Sequence, residues 1–322
     1  MPVRPRISDL GVHSLTFLLL ALQAGLLALT VVSFQVTGLA YAWSEARVPV
    51  GGALCLLALW GAHVLVPARR QGEWVVTEAI LVTGLIATVT IIGSPFQYAA
   101  IALKRPLVDG WLAAADAGMG IYVPALVEWT RAHPWIQQAL SSAYFSLLPQ
   151  LILPIAVVGC WFKDRAALWE YAFHFHVCVI VTLLGLAIWP AACAFTYYGF
   201  DSLLDQTRFI RHFHEFRSGA QLLVRPSDVE GMISFPSFHV AGALMVTWAF
   251  RRRHRWLIGL GILNTGLVAA TVLTGAHYAI DVVATAAMFA TSVGLWRRFG
   301  RPRLGLQRPN RRCEPILDAA AA

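Results

Sequence analysis

The chain has 322 residues, of which 58% are hydrophobic and only 13% are charged. Soluble domains carry about 25% charged residues, so this composition excludes an ordinary water-soluble surface and indicates a protein whose solvent is lipid. The formal net charge is +8. The basic residues stand at the ends of apolar runs, which is typical of membrane anchors and argues against nucleic acid as a partner.

The apolar runs predict an all-α fold, a polytopic membrane bundle of about eight transmembrane helices. A helix needs roughly 20 apolar residues to cross the hydrocarbon core. The sixth run is shorter than this, so its outer end is expected to be buried in protein. The predicted spans are Leu15–Phe34, Val50–Pro67, Trp74–Ile92, Ser142–Phe162, Ala172–Phe195, Pro236–Arg251, Trp256–Leu273 and Tyr278–Trp296.

Clusters of basic residues orient the predicted spans. When the spans are counted, five clusters fall on one side of the membrane, which the positive-inside rule identifies as the cytoplasm. Both termini are then cytoplasmic, and we expect an integral protein of the bacterial inner membrane. The clusters are Arg4 and Arg6; Arg69 and Arg70; Lys163 and Arg165; Arg251, Arg252, Arg253 and Arg255; and Arg297, Arg298, Arg301 and Arg303.

The first span is interpreted as a retained helix. Ala40-Tyr41-Ala42 resembles a signal-peptide cleavage site, but the apolar run before it is longer than the usual signal core.

Two long segments, Ser94–Ser141 and Thr196–Phe235, are predicted to face outward. In the first of them, Asp109 and Asp116 are seven residues apart and share a helical face, which favours an amphipathic helix on the membrane surface.

His277 and Asp281 form the first candidate site. At i and i+4 they lie on one helical face, a turn apart. An ionisable residue inside an apolar helix is costly and usually faces the bundle interior with a partner. The carboxylate would fix the imidazole tautomer and leave the other nitrogen as a nucleophile or base. Taken alone, the pair is equally compatible with a helix-capping histidine and a structural aspartate.

A second string, Phe235-Pro236-Ser237-Phe238-His239, begins the sixth span on the same side of the membrane. Proline suits the first turn of a helix, and the free N–H groups there favour an anion. Two histidines and one aspartate on one membrane face suit phosphoryl transfer through a phosphohistidine. One histidine attacks phosphorus, the other protonates the leaving alkoxide, and arginines neutralise the phosphate.

These strings resemble the type 2 phosphatidic acid phosphatase (PAP2) superfamily. Pro236-Ser237-Phe238-His239 is similar to its Pro-Ser-Gly-His motif, and His277 to Asp281 is similar to its His-x-x-x-Asp. The resemblance implies that His277 is the nucleophile, Asp281 its orienting residue and His239 the general acid, with Ser237 contacting phosphate. It also implies a six-helix catalytic domain over residues 74–296. Residues 1–73 would add two further helices, and residues 297–322 a cytoplasmic Arg/Pro-rich tail.

Two family elements are missing. Thr271 stands where the family has an arginine six residues before the last histidine, and the Lys-x6-Arg-Pro motif is absent because Trp111 and Glu170 stand seven residues after Lys104 and Lys163. The branches without these elements resemble inositol phosphorylceramide synthases and sphingomyelin synthases. The two motif strings here are similar to bacterial members of the first branch.

The outward arginines are the candidates for holding phosphate. Arg217 is the first choice and Arg225 the second, each with the alternative of a solvated basic loop near lipid head groups. Lys104 and Arg105 are weaker candidates. His174 and His176 point different ways on a helix, and without a cluster of metal-ligand spacing we expect no metal and no cofactor.

The sequence is compatible with three functions. Water could hydrolyse the phosphohistidine, which gives a lipid phosphatase acting on a phospholipid or another lipid phosphate at the extracytoplasmic face. An alcohol could accept the phospho-head group instead, which gives a head-group transferase like inositol phosphorylceramide synthase. The missing lysine and arginine elements favour the transferase-like branch without deciding the acceptor. A non-catalytic lipid-binding or transport protein is the third possibility.

Overall fold

A computed structural model describes residues 7–65 and 74–304, and almost all of their secondary structure is helical. This confirms the all-α prediction. The only strands within these ranges are β1 and β2, two residues each. The elements in chain order are α1 (Ile7–Thr37), β1 (Ala40–Tyr41), α2 (Trp43–Leu65), α3 (Trp74–Ala102), α4 (Asp109–Gly118), α5 (Val123–Arg131), α6 (Pro134–Phe145), α7 (Leu147–Gln150), a π-helical segment (Pro154–Trp161), α8 (Arg165–Ile188), α9 (Ala194–Tyr198), α10 (Thr207–Ser218), β2 (Leu223–Val224), a 3₁₀ turn (Pro226–Asp228), α11 (Phe238–Ala249), α12 (His254–Leu273), α13 (Ala279–Leu295), a second π-helical segment (Trp296–Gly300) and α14 (Arg301–Arg303).

The helices are those of an integral membrane protein. Within the described ranges, five helices are long and apolar enough to cross a membrane, or up to seven if each of two bent pairs is one span. The sequence predicted eight. The second predicted span, Val50–Pro67, overlaps α2 but ends outside the described residues, and α2 is not among the five helices. In addition, α11 has only 12 residues.

The segment between α3 and α8 is bent in two places. The pair α4 and α5 turns by 82°, and each arm is shorter than a membrane crossing needs. A bend of this kind is that of a broken span or a re-entrant loop, whereas the sequence predicted an amphipathic helix on the membrane surface. The next pair, Pro134–Phe145 and Leu147–Trp161, bends by only 40° and contains the fourth predicted span.

Helix α8 lies at the centre of the bundle and packs against α3, α11 and α13. Large side chains are buried on all of its faces, among them Trp169, Phe173, Phe175 and Leu183. A helix that is apolar all round belongs in the interior. Helix α8 therefore forms the core against which α3, α11 and α13 pack.

Buried carboxylates pair with arginines at the basic end of the bundle. Glu78 of α3 accepts from Arg165 Nε at 2.8 Å and from Trp169 Nε1 at 2.7 Å. Glu170 of α8 accepts from Arg251 Nη2 at 2.6 Å. Arginines of the predicted basic clusters around residues 163–165 and 251–255 therefore pair with carboxylates of neighbouring helices. The pairing lowers the free-energy cost of placing these charges near lipid.

At the opposite end, α8 passes very close to the start of α11. A Cβ atom added at Gly185 would lie 2.4 Å from Pro236 Cδ and 3.0 Å from the Phe235 carbonyl oxygen. Only glycine allows this approach, because both neighbours belong to the chain that leads into α11. The position of Ser237 and His239 is thereby fixed against the central helix.

The two N-terminal helices are joined to the rest of the bundle by polar contacts. Gln23 of α1 donates to the Leu85 carbonyl oxygen at 2.8 Å, and its Nε2 lies 2.8 Å from His176 Nε2. Beyond α1, β1 pairs in parallel with β2, with Ala40 opposite Leu223. These contacts tie the N-terminal region to α3, α8 and the segment before α11.

Candidate active site

The His277–Asp281 pair lies at the start of α13. His277 Nδ1 is 3.1 Å from Asp281 Oδ2, and both side chains are buried. The carboxylate can only accept, so Nδ1 carries the proton and Nε2 keeps a free lone pair. The same Oδ2 accepts from the Tyr278 backbone N–H at 3.1 Å, and the Asp281 backbone N–H donates to the Tyr278 carbonyl oxygen at 3.2 Å. One oxygen therefore fixes both the first turn of α13 and the orientation of the imidazole.

Ser237 lies on the other side of the His277 ring. Its Oγ is 3.2 Å from His277 Nε2, and it also caps α11 by accepting from the Val240 N–H at 3.4 Å. The Ser237 backbone N–H donates to Thr285 Oγ1 of α13 at 3.0 Å. The starts of α11 and α13 are thus joined through Ser237, and Nε2 of His277 faces the N-terminal end of α11.

His239 completes the predicted group. It lies in the first turn of α11, with its ring centroid 6.3 Å from that of His277. Its ring stacks on Tyr144 of α6 with a centroid distance of 4.0 Å and an interplanar angle of 20°. The Tyr144 hydroxyl oxygen is 3.3 Å from His239 Nδ1. The sequence did not single out Tyr144, which is 95 residues away and belongs to an otherwise ordinary apolar helix.

Two aspartates of α4 face the same site. As the spacing predicted, Asp109 and Asp116 share a face, and both are buried. Asp116 accepts from the N–H groups of Ala279 and Ile280 at 2.9 and 2.8 Å. Asp109 accepts from the Ala192 N–H and from the Tyr278 hydroxyl, the latter at 2.9 Å. Their partners could not be read from the sequence because they lie far along the chain.

The two helix starts are therefore not equivalent. At α13, the first free N–H groups are taken by Asp116 and Asp281, so the positive end of the helix dipole already faces carboxylates. At α11, Ser237 is neutral, and the adjacent side chains are two histidines. A negatively charged phosphate would be favoured at the start of α11 and repelled from that of α13.

The two candidate arginines lie in different surroundings. Arg217 Nη2 donates to the Arg105 carbonyl oxygen at 2.7 Å, and Nη1 is buried with no hydrogen-bond partner in the part of the chain that the structure describes. Burial lowers the pKa of the Arg217 guanidinium, and the Asp109 carboxylate opposes this shift. Arg225 instead pairs with Glu45 of α2 at 2.7 Å. Arg217 is thus electrostatically linked to the site through Asp109.

Lys104 and the remaining histidines have other partners. Lys104 Nζ donates to the Ser218 carbonyl oxygen at 3.0 Å, beside Arg217. His174 Nδ1 is 2.7 Å from Ser292 Oγ, whereas His176 contacts Gln23, so the two rings point in different directions. His212 contacts Tyr98 and Asp228.

The fold and the site together define a helical membrane protein with a buried histidine–aspartate pair beside an anion-favouring helix start. The chain belongs to the PAP2 superfamily, whose family model matches residues 110–295, more than half of its length. The match contains His239, His277 and Asp281. Membership supports a phosphatase or phosphotransferase type of function. No curated protein and no solved structure matches the sequence.

Replacing Asp116 with asparagine should destabilise the start of α13. Asp116→Asn would place an amide N–H against one of two part-buried backbone donors, and a donor left unmet away from water costs about 1–3 kcal/mol. We expect a lower midpoint of thermal unfolding in detergent and a lower turnover number. Asp201→Asn, at an exposed position, is the matched control. Equal unfolding midpoints for the two variants would contradict the capping role of Asp116.

Proposed function

We propose that the protein is a membrane phosphatase or phosphotransferase that acts on a lipid phosphate ester through a phosphohistidine intermediate. The observation that carries the proposal is the position of His277. Its Nδ1 faces Asp281 at 3.1 Å, and its Nε2 faces Ser237 Oγ at 3.2 Å beside the start of α11. A lone pair directed at an anion-favouring helix start is what attack on a phosphate requires.

In the first half of the proposed reaction, His277 Nε2 attacks phosphorus and the bond to the leaving alkoxide breaks. His239 gives its proton to that alkoxide, so the leaving group departs as a neutral alcohol. Asp281 balances the positive charge that develops on the His277 ring. The phosphoryl oxygens would be held by the Ser237 hydroxyl and the first N–H groups of α11, where helix dipole and hydrogen bonding act together.

In the second half, an acceptor hydroxyl attacks the phosphohistidine. His239, now neutral, takes the acceptor proton while the P–N bond breaks and His277 is released. Water as the acceptor gives a phosphatase, and a lipid or polyol hydroxyl gives a head-group transferase like inositol phosphorylceramide synthase. Thr271 in place of the family arginine favours the transferase. Neither half requires a cofactor. A non-catalytic lipid-binding protein remains the third alternative.

Arg217 is the proposed phosphate ligand from the outer segment, with Arg225 as the second candidate. An unpartnered buried Nη1 atom is costly unless a further acceptor binds it, and a phosphate oxygen would supply one. Arg225 already has a carboxylate partner in Glu45, so a phosphate would have to compete for it.

We further propose that the site faces away from the cytoplasm in a bacterial inner membrane. The basic clusters at residues 163–165 and 251–255 lie at one end of the bundle. His239, His277 and the Gly185–Pro236 contact lie at the other. The positive-inside rule assigns the basic end to the cytoplasm.

His277→Gln should abolish turnover. In a panel of phosphatidate, polyprenyl phosphate and a phospholipid with an alcohol acceptor, we expect activity to fall by at least ~10³-fold, because the variant lacks the nitrogen that attacks phosphorus. Free phosphate reports hydrolysis, and a new head-grouped lipid reports transfer. His254→Gln, an exposed histidine at the basic end, should retain wild-type turnover. Absence of both products from the wild-type protein with every lipid would favour the non-catalytic alternative.

A second experiment identifies the residue that becomes phosphorylated. The protein is quenched during turnover of a lipid substrate labelled at the phosphate, and the stability of the label on the protein is measured in acid and in alkali. Ser237, His277 and Asp281 are arranged as in a serine–histidine–aspartate triad, so Ser237 is the competing nucleophile. A phosphohistidine is labile in acid and stable in alkali, whereas a phosphoserine behaves in the opposite way. We expect an acid-labile label that persists in Ser237→Ala. An acid-stable label lost in Ser237→Ala would transfer the nucleophile role to the serine.

Arg217→Ala should weaken catalysis more than Arg225→Ala. Loss of a charged hydrogen bond to phosphate costs about 1.5–3 kcal/mol, so kcat/KM should fall roughly 10- to 100-fold for Arg217→Ala. Arg225→Ala breaks an exposed ion pair worth about 1 kcal/mol or less, and its kcat/KM should change by less than about threefold. The reverse order in steady-state kinetics would make Arg225 the phosphate ligand.

Cysteine labelling tests the orientation. In a variant whose five native cysteines are replaced by serine, Ala220→Cys lies at an exposed position after α10, and Arg252→Cys lies between α11 and α12. A membrane-impermeant maleimide should label the first in intact cells and the second only after permeabilisation. The opposite result would place the site on the cytoplasmic face.

A further inference from the structure

Tyr144 makes two contacts with His239 that involve different parts of the imidazole. The rings are stacked, with centroids 4.0 Å apart and planes inclined by 20°. The hydroxyl oxygen lies 3.3 Å from Nδ1. Tyr144 is 7% exposed, and α6, which carries it, is packed against α12. A buried tyrosine in this position holds both the plane of the imidazole and one of its nitrogens.

We infer that Tyr144 is the positioning residue of His239, as Asp281 is for His277. The inference rests on the proposed function, in which His239 donates a proton to the leaving group and later removes one from the acceptor. With Nδ1 facing Tyr144, Nε2 is the nitrogen that faces the reacting groups. Tyr144 therefore determines which nitrogen of His239 faces the reacting groups, and in our proposal its hydroxyl oxygen accepts from Nδ1–H.

The hydroxyl group suits both protonation states that the cycle requires. When His239 is an imidazolium, Nδ1–H donates to the Tyr144 oxygen and Nε2–H is free for the alkoxide. After Nε2 has given up its proton, Nδ1–H still donates to the same oxygen, and Nε2 has the lone pair that the acceptor proton needs. The hydrogen bond to Tyr144 persists while the proton at Nε2 leaves and returns.

The stacked ring acts on the charge of His239. A cation over an aromatic face is attracted by the negative face of the ring, so the stack favours the imidazolium, the form that can act as an acid. Among the described residues, the titratable groups near His239 are His277, with Asp281 behind it, and Tyr144, which the Cys193 thiol influences electrostatically. Among these, Tyr144 is the group that contacts His239 through both ring and hydroxyl.

Two variants separate the two contacts. Tyr144→Phe keeps the stacked ring and removes the hydroxyl, whereas Tyr144→Leu removes both. Tyr171→Phe is the matched control, because Tyr171 is a buried tyrosine whose hydroxyl donates to a backbone oxygen, that of Leu151, at 2.8 Å. Each variant is assayed with two phosphate esters of the same lipid tail, one with an alkyl and one with a 4-nitrophenyl leaving group.

For the alkyl ester, we expect kcat to fall about tenfold in Tyr144→Phe and about 100-fold in Tyr144→Leu, because an alkoxide needs general acid help. For the 4-nitrophenyl ester, whose leaving group needs no proton, both losses should stay below about threefold. In Tyr144→Leu, the alkaline limb of the pH–kcat profile should move to lower pH by about half to one unit, because the imidazolium loses its stabilising ring. Equal losses on both esters, or the same losses in Tyr171→Phe, would show a packing effect and overturn the inference.

A measurement without substrate distinguishes this inference from the proposed function. In the full-length protein labelled with ¹⁵N-histidine, the His239 resonances are assigned by their loss in His239→Gln. We expect the Nδ1–H tautomer of neutral His239 in the wild type and a mixture of tautomers in Tyr144→Phe. A wild-type Nε2–H tautomer would overturn the role of Tyr144 even if lipid phosphate turnover were found. Conversely, absence of turnover with the expected tautomer would overturn the function alone.

Discussion

The first turn of α13 is held by carboxylates, and the arrangement of the site depends on this interaction. Helix starts leave backbone N–H groups that need acceptors. Here Asp281 takes that of Tyr278, and Asp116 takes those of Ala279 and Ile280. Because Asp281 Oδ2 also faces His277 Nδ1, the group that begins the helix also aims the imidazole. A shift in this turn would move His277, the proposed nucleophile.

Capping a helix with buried carboxylates is a costly way to stabilise a membrane bundle. Asp109, Asp116 and Asp281 are all buried, and Asp281 Oδ1 has no hydrogen-bond partner among the described residues. Buried carboxylates in or near lipid are costly, and a neutral cap such as the serine at the start of α11 would avoid the cost of burying a charge. The carboxylates do, however, leave the neutral start of α11 as the favourable place for a phosphate. We interpret the cost at α13 as the source of selectivity for an anion at α11.

The sequence predicted what depends on local spacing and on composition. Apolar runs gave the helical bundle, and the i, i+4 spacing of His277 and Asp281 brought the pair into contact in the structure. The spacing of Asp109 and Asp116 likewise gave their common face. What the sequence could not supply were partners between distant elements. Tyr144 reaches His239 from another helix, and Asp116 is more than 160 residues from the N–H groups that it caps. The different surroundings of Arg217 and Arg225 likewise arise from tertiary packing, since both residues belong to the same polar segment.

The proposed mechanism assigns the choice of acceptor to His239 rather than to His277. Formation of the phosphohistidine is common to hydrolysis and transfer, so the His277–Asp281 geometry serves both equally. The reactions diverge when an acceptor hydroxyl gives its proton to His239 Nε2, because only a hydroxyl within reach of that nitrogen is activated. In our proposal, Tyr144 fixes the direction in which Nε2 points. In the proposed mechanism, the balance between water and a lipid hydroxyl would then depend on the space on the Nε2 side of the His239 ring, away from Tyr144.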